Sequence, residues 1–122
     1  MIENIKVIIG QKIWYGNCAT TESEIQKGLS NLKYISPMSC MLFDLGYTTQ
    51  VQVTTKDMKF PIDIIFISDN NKVNAVYRQL KPGYIFTSPS CRYFLESNQN
   101  ETIGVYEGDL VKIESFEEED EF

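Results

Sequence analysis

The chemistry open to this chain is bounded first by a residue type it lacks. None of the 122 residues is histidine, which excludes Ser-His and Cys-His nucleophilic pairs, imidazole metal sites and the usual neutral-pH proton shuttle. What remains for meeting a ligand is a set of charged residues around one apolar run: Lys56 and Asp57 before it, Asp63 inside Ile62–Ile67, and Arg78 beyond it. An unpaired buried carboxylate is very costly, so an inward-pointing Asp63 has to find donors, and Lys56 and Arg78 are the basic candidates. Brought together, the four form a small polar pocket for a ligand carrying both charges; held apart, Asp63 is a structural acid bonded to backbone or to a base. Asp57 and Asp63 also have the composition of a glycosidase pair, but in a chain with 17 acids two neighbouring carboxylates are expected by chance. Gly104 and Gly108 follow no strand-to-helix phosphate motif and read as turn or bulge glycines.

Cys18, Cys40 and Cys91 are odd in number, far apart and without metal-knuckle spacing, so they read as core hydrophobes in a reducing compartment. No metal site or cofactor is expected. The net charge of −6 is a local property. Six of the acids fall in residues 114–122, and the remaining body is formally neutral. A basic stripe for direct nucleic-acid binding is therefore absent. No apolar run is long enough for a bilayer, and the N-terminal stretch does not read as a secretory signal. The expected localisation is cytoplasmic or virion.

The elements that must position these residues are mostly short strands. With 43% apolar and 12% aromatic residues, the chain carries enough hydrophobic surface for one folded domain. Ile5, Val7 and Ile9 alternate before Gly10, and residues 12–15 pair back across that turn. Residues 50–55 alternate valine with glutamine. Residues 62–67 and 72–77, joined by Ser68-Asp69-Asn70-Asn71, form the strongest hairpin, since Asp and Asn tolerate left-handed backbone. Further strands are expected at 84–87, 92–96, 102–105 and 110–114. Thr21-Glu22-Ser23-Glu24 is a capping box opening one helix over about 22–32, with Ile25, Leu29 and Leu32 on its apolar face and Gly28 weakening it. The fold class is mainly β: a small, compact, barrel-like domain over 1–113 with one short helix packed against it, followed by an acidic tail at 114–122, disordered unless bound.

The order of several blocks resembles the domain-of-unknown-function 192 family. Ala19-Thr20-Thr21-Glu22 with Gly28-Leu29, Cys40-Met41-Leu42-Phe43, Pro61 through Ile67, Lys72-Val73, Lys81-Pro82, Tyr93-Phe94-Leu95-Glu96 and Gly108-Asp109-Leu110-Val111 follow the family's sequence of motifs across residues 13–113. The resemblance implies a compact β-barrel-like domain with a short helix and no established enzymatic activity. The family typically carries an aromatic followed by Trp, Met, Lys, Asn and Thr before the Pro-Leu-Asp strand. Here the stretch is Val53-Thr54-Thr55-Lys56-Asp57-Met58, in which only Lys56 is kept and Asp57 is a relative of Asn.

These features lead to the expectation of a non-enzymatic module that docks on a protein partner or larger assembly, one concrete setting being an accessory or decoration protein of a bacteriophage particle. Trp14 and Tyr15, beside Gly16, are candidate partner-binding aromatics, with closure of the barrel end as their other reading. Phe116, Glu117, Glu118, Glu119, Asp120, Glu121 and Phe122 are candidates for binding a basic partner surface. The competing expectation is a small-ligand-binding protein or enzyme built on Lys56, Asp57, Asp63 and Arg78. Oligomeric state is left open.

Overall fold

The computed structural model describes residues 1–116. Nine strands and one helix follow in order: β1 (Ile2–Ile9), β2 (Lys12–Ala19), α1 (Glu22–Lys27), β3 (Ser39–Thr49), β4 (Gln52–Thr54), β5 (Ile62–Ile67), β6 (Val73–Leu80), β7 (Ile85–Thr87), β8 (Cys91–Asn98) and β9 (Lys112–Ser115). Seven of them make one sheet in the order β6-β5-β8-β3-β2-β1-β9, and β4 pairs with β7 in a second, two-stranded sheet. The domain is thus mainly β with one short helix, but the large sheet does not close into a barrel. It curls far enough for the segment before β9 to reach the β5–β6 turn, where Lys72 bridges Leu110 and the Val73 amide donates to the Asp109 carbonyl at 2.8 Å. Closure stops there, because β6 and β9 share no ladder.

β1 and β2 are joined through Gly10, which supplies the positive φ of 60° that a tight turn asks for. β2 and β3 are parallel, so the chain must cross over between them, and α1 lies in that crossover. At Gly16 the two strands touch. A Cβ there would lie 1.8 Å from the Cys40 carbonyl oxygen, so only glycine fits.

The curled sheet has apolar residues on both faces. β5 is buried along its whole length: Ile65 and Ile67 join Val7, Trp14, Leu42 and Leu95 on one face, while Ile62, Ile64 and Phe66 join Leu29, Phe43, Met58 and Phe94 on the other. A strand covered on both sides reads as a continuous apolar run rather than an alternating one. The second face is covered by the region of α1 and by the β4–β7 ribbon, which contributes Val53 and Phe86.

Three sequence expectations need correction. The helix stops at Lys27 instead of running to residue 32: Gly28 is its C-cap, with φ 47° and its N–H donating to the Glu24 carbonyl, and Leu32 ends up 45% exposed. The capping box itself is present as read, Thr21 accepting from the Glu24 amide and Glu24 reaching back to the Thr21 amide. Residues 102–105 are turn, not strand. The boundary at residue 113 cuts through β9, whose Glu114 and Ser115 pair with Lys6 and Ile5 of β1. Among the described residues no helix is long and apolar enough to cross a membrane.

Candidate functional site

The four residues expected to form a polar pocket do not meet. Asp63 is fully buried, facing the Ile65 and Ile67 side of β5. One of its oxygens accepts from the Gln79 amide at 2.8 Å, the other from the Thr102 hydroxyl at 2.7 Å and the Thr102 amide at 3.3 Å. Arg78 reaches the same turn, donating to the carbonyls of Thr102 at 3.1 Å and Val105 at 2.6 Å. Both side chains therefore brace the 102–105 turn, which explains why that segment leaves the strand conformation. Lys56 and Asp57 sit in an exposed turn beside Met58, which packs on the opposite face of the sheet. The Asp57 backbone carbonyl accepts from Asn31, and the Lys56 amide donates to the Thr54 hydroxyl. Asp63 is the structural acid.

Of the aromatic candidates, Trp14 is wholly buried and its Nε1–H donates to Glu101 at 3.2 Å, so it is core and not a free anchor. Tyr15 is 48% exposed and meets Phe116 edge to face, ring centroids 5.6 Å apart. Glu117, Glu118, Glu119, Asp120, Glu121 and Phe122 lie outside the described residues. The three cysteines are buried and unpaired, and burial pushes the Cys18 thiol up to about 11 and the Cys40 thiol up to about 12. Such thiols are poor nucleophiles. Among the described residues no three acids or cysteines converge on a metal-sized space.

A cleft of about 820 Å³ opens elsewhere, between the α1 region and the far end of β3 with β4. One rim is polar, with Thr20, Glu22, Gln26 and Lys27; the other carries Tyr47, Gln52 and Thr54. Its floor is apolar. Phe43 of β3 and Phe94 of β8 stack at 4.3 Å with their planes 10° apart, flanked by Leu29 and Met58.

One acid breaks this floor. Glu96 lies two residues along β8 from Phe94 and so on the same face of the sheet. It is only 5% exposed, and burial pushes its carboxyl up to about 8. Among the described residues it pairs with no basic side chain, and no fully buried side-chain oxygen is left without a partner, so its carboxyl oxygens meet the solvent of the cleft. Gly28 keeps the space beside it open: a Cβ there would sit 3.0 Å from Phe43 Cζ and 3.6 Å from Glu96 Oε1. The glycine that ends the helix thus also shapes the cleft. A carboxyl of this kind is neutral at pH 7 and can donate one hydrogen bond and accept others.

Sequence reasoning quoted Glu96 as part of a motif but gave it no role. The signal was its phase. In a strand, an acid two residues from an aromatic shares that aromatic's face.

The family model of DUF192, described as an uncharacterized ACR, matches residues 7–113. The chain belongs to this family. Two solved structures are similar to this DUF192 domain. A "putative transcription regulator" from Sinorhizobium meliloti 1021 superposes with a TM-score of 0.80 at 23% identity, over 92% of this chain and 96% of that one. A protein of unknown function from Novosphingobium aromaticivorans DSM 12444 gives a TM-score of 0.80 at 21% identity, over 88% of this chain and 82% of that one. At such identities the likeness is one of fold. No curated protein matches the chain.

Proposed function

We propose that this DUF192 domain is a non-enzymatic small-molecule-binding module that holds its ligand in the cleft above Glu96. One observation carries the reading: a largely buried acid that pairs with no basic side chain among the described residues opens onto the apolar floor of the cleft. A carboxyl that meets only the solvent of a largely apolar floor is free to bond a ligand, and the low local dielectric strengthens such a bond. An apolar pocket with a few convergent polar groups is the usual form of a ligand site. The stretch from Val53 to Met58, where this sequence departs from the family pattern it resembles, lends Val53, Thr54 and Met58 to one wall. Variation there tunes what the cleft accepts.

The test is a fragment screen followed by amide NMR shifts. Binders are expected to move Gly28, Leu29, Phe94 and Glu96 together, and the rim-filling substitution Gln52→Trp is expected to abolish those shifts. Fragments that scatter over the surface, or that ignore Gln52→Trp, refute the reading.

A second reading, docking on a protein partner or larger assembly, is supported by the exposed Tyr15 packed on half-buried Phe116, which stands immediately before the acidic run. It expects truncation from Phe116 onward to release the partner and added salt to weaken it. No observation favours a bacteriophage particle over any other assembly.

A further inference from the structure

The charge around Glu96 narrows the class of ligand. A carboxyl sunk beside stacked phenyl rings can be relieved in two ways, by keeping its proton or by gaining a cation. Among the described residues no basic side chain pairs with it. The titratable groups lining the cleft are Glu22 and Lys27 from α1, Tyr47 from β3 and Glu96 from β8. Lys27 is exposed on the rim, in the last turn of the helix. An incoming anion would find Lys27 offset by Glu22 on the rim and could sit beside Glu96 only while that carboxyl keeps its proton. A cation would meet Glu96 directly, and the faces of Phe43 and Phe94 carry the negative side of the ring quadrupole that attracts positive charge.

We propose that the cleft takes an organic cation, an ammonium group joined to a flat apolar body, with the ammonium against Glu96 and the body against Phe43, Phe94 and Met58. This rests on the reading of the cleft as a ligand site and adds the charge of the ligand to it. The Glu96 carboxyl gives up its proton as the ammonium binds. The hydroxyl oxygens of Thr20 and Thr54 and the side-chain carbonyl oxygen of Gln26 line the same cleft and are acceptors for the remaining ammonium N–H groups, of which there are three. Affinity then rises with pH while Glu96 ionises, levels once it is ionised, and falls only where the amine itself loses its proton.

The probes are phenethylamine, its uncharged counterpart phenethyl alcohol and the anion phenylacetate, titrated into the full chain and followed by the cleft amides at pH 6 and pH 8. Phenethylamine is expected to bind at least tenfold more tightly than either counterpart at pH 8, a margin set by a charge-assisted bond against a neutral one. It is also expected to bind at least tenfold more tightly at pH 8 than at pH 6. Glu96→Gln is expected to erase both margins. If the alcohol or phenylacetate equals the amine in the cleft, the cation is wrong and the ligand site stands. If none of the three moves the cleft amides, both fall. The pH comparison on the unmodified chain decides the matter should Glu96→Gln fold poorly.

Discussion

Asp63 and Glu96 are two buried acids on neighbouring strands, and they differ in everything that decides a role. In the β5–β8 ladder Asp63 pairs with Ser97 and Ile64 with Glu96, so the two carboxyls occupy adjacent rows but point to opposite faces of the sheet. On one face three donors from the chain close on Asp63. On the other, Glu96 has a cleft and apolar neighbours. An acid bonded by the chain orders the chain around it; one that meets only the solvent of a cleft is available to a ligand. Sequence alone draws attention to Asp63, because it visibly interrupts an apolar run and Glu96 does not.

The contrast yields graded expectations. Asp63→Ala strands the Gln79 and Thr102 amides and the Thr102 hydroxyl, and is expected to cost about 4 kcal/mol in urea unfolding, at 1–3 kcal/mol for each orphaned donor with partial relaxation. Glu96→Gln is expected to act on pH dependence instead. The folded state keeps on Glu96 a proton that the unfolded chain loses near 4.5, up to about 8. Stability of the unmodified chain should therefore fall by about 1.4 kcal/mol per pH unit between roughly pH 5 and pH 8. That adds up to about 4 kcal/mol over the three units, and Glu96→Gln should remove this share of the slope. Gly28→Ala forces an alanine into φ 47° and against Phe43, at about 2 kcal/mol by thermal unfolding; it should also narrow the cleft and weaken any ligand. Thr21→Ala, which removes one half of the capping box, is expected to cost about 1 kcal/mol and leave the cleft chemistry alone.

Much of the fold was legible because local signals agreed. The alternation of Ile5, Val7 and Ile9, the run Ile62–Ile67 with its Ser-Asp-Asn-Asn turn, and the Thr21–Glu24 box all gave elements that the structure contains. β3 was missed as a long strand because Ser39–Thr49 mixes Gly46 and Asp44 with its apolar residues, and tertiary pairing with β2 and β8 overrides weak local preference. Residues 102–105 misled for the opposite reason. Thr102, Ile103 and Val105 favour a strand, but Asp63 and Arg78 hold their backbone in a turn. The cleft was illegible in principle. It joins residues from α1, β3, β4 and β8, and nothing local says that Gly28 and Glu96 lie side by side.

The most direct measurement is a carbon-13 NMR titration of the Glu96 carboxyl in the full chain, alone and with phenethylamine present. Half-titration near pH 8, moving to lower pH when the amine is added, is the result expected of a partnerless acid waiting for a cation. Half-titration in the ordinary glutamate range near 4.5, unmoved by the amine, would contradict the account and return Glu96 to the solvated surface.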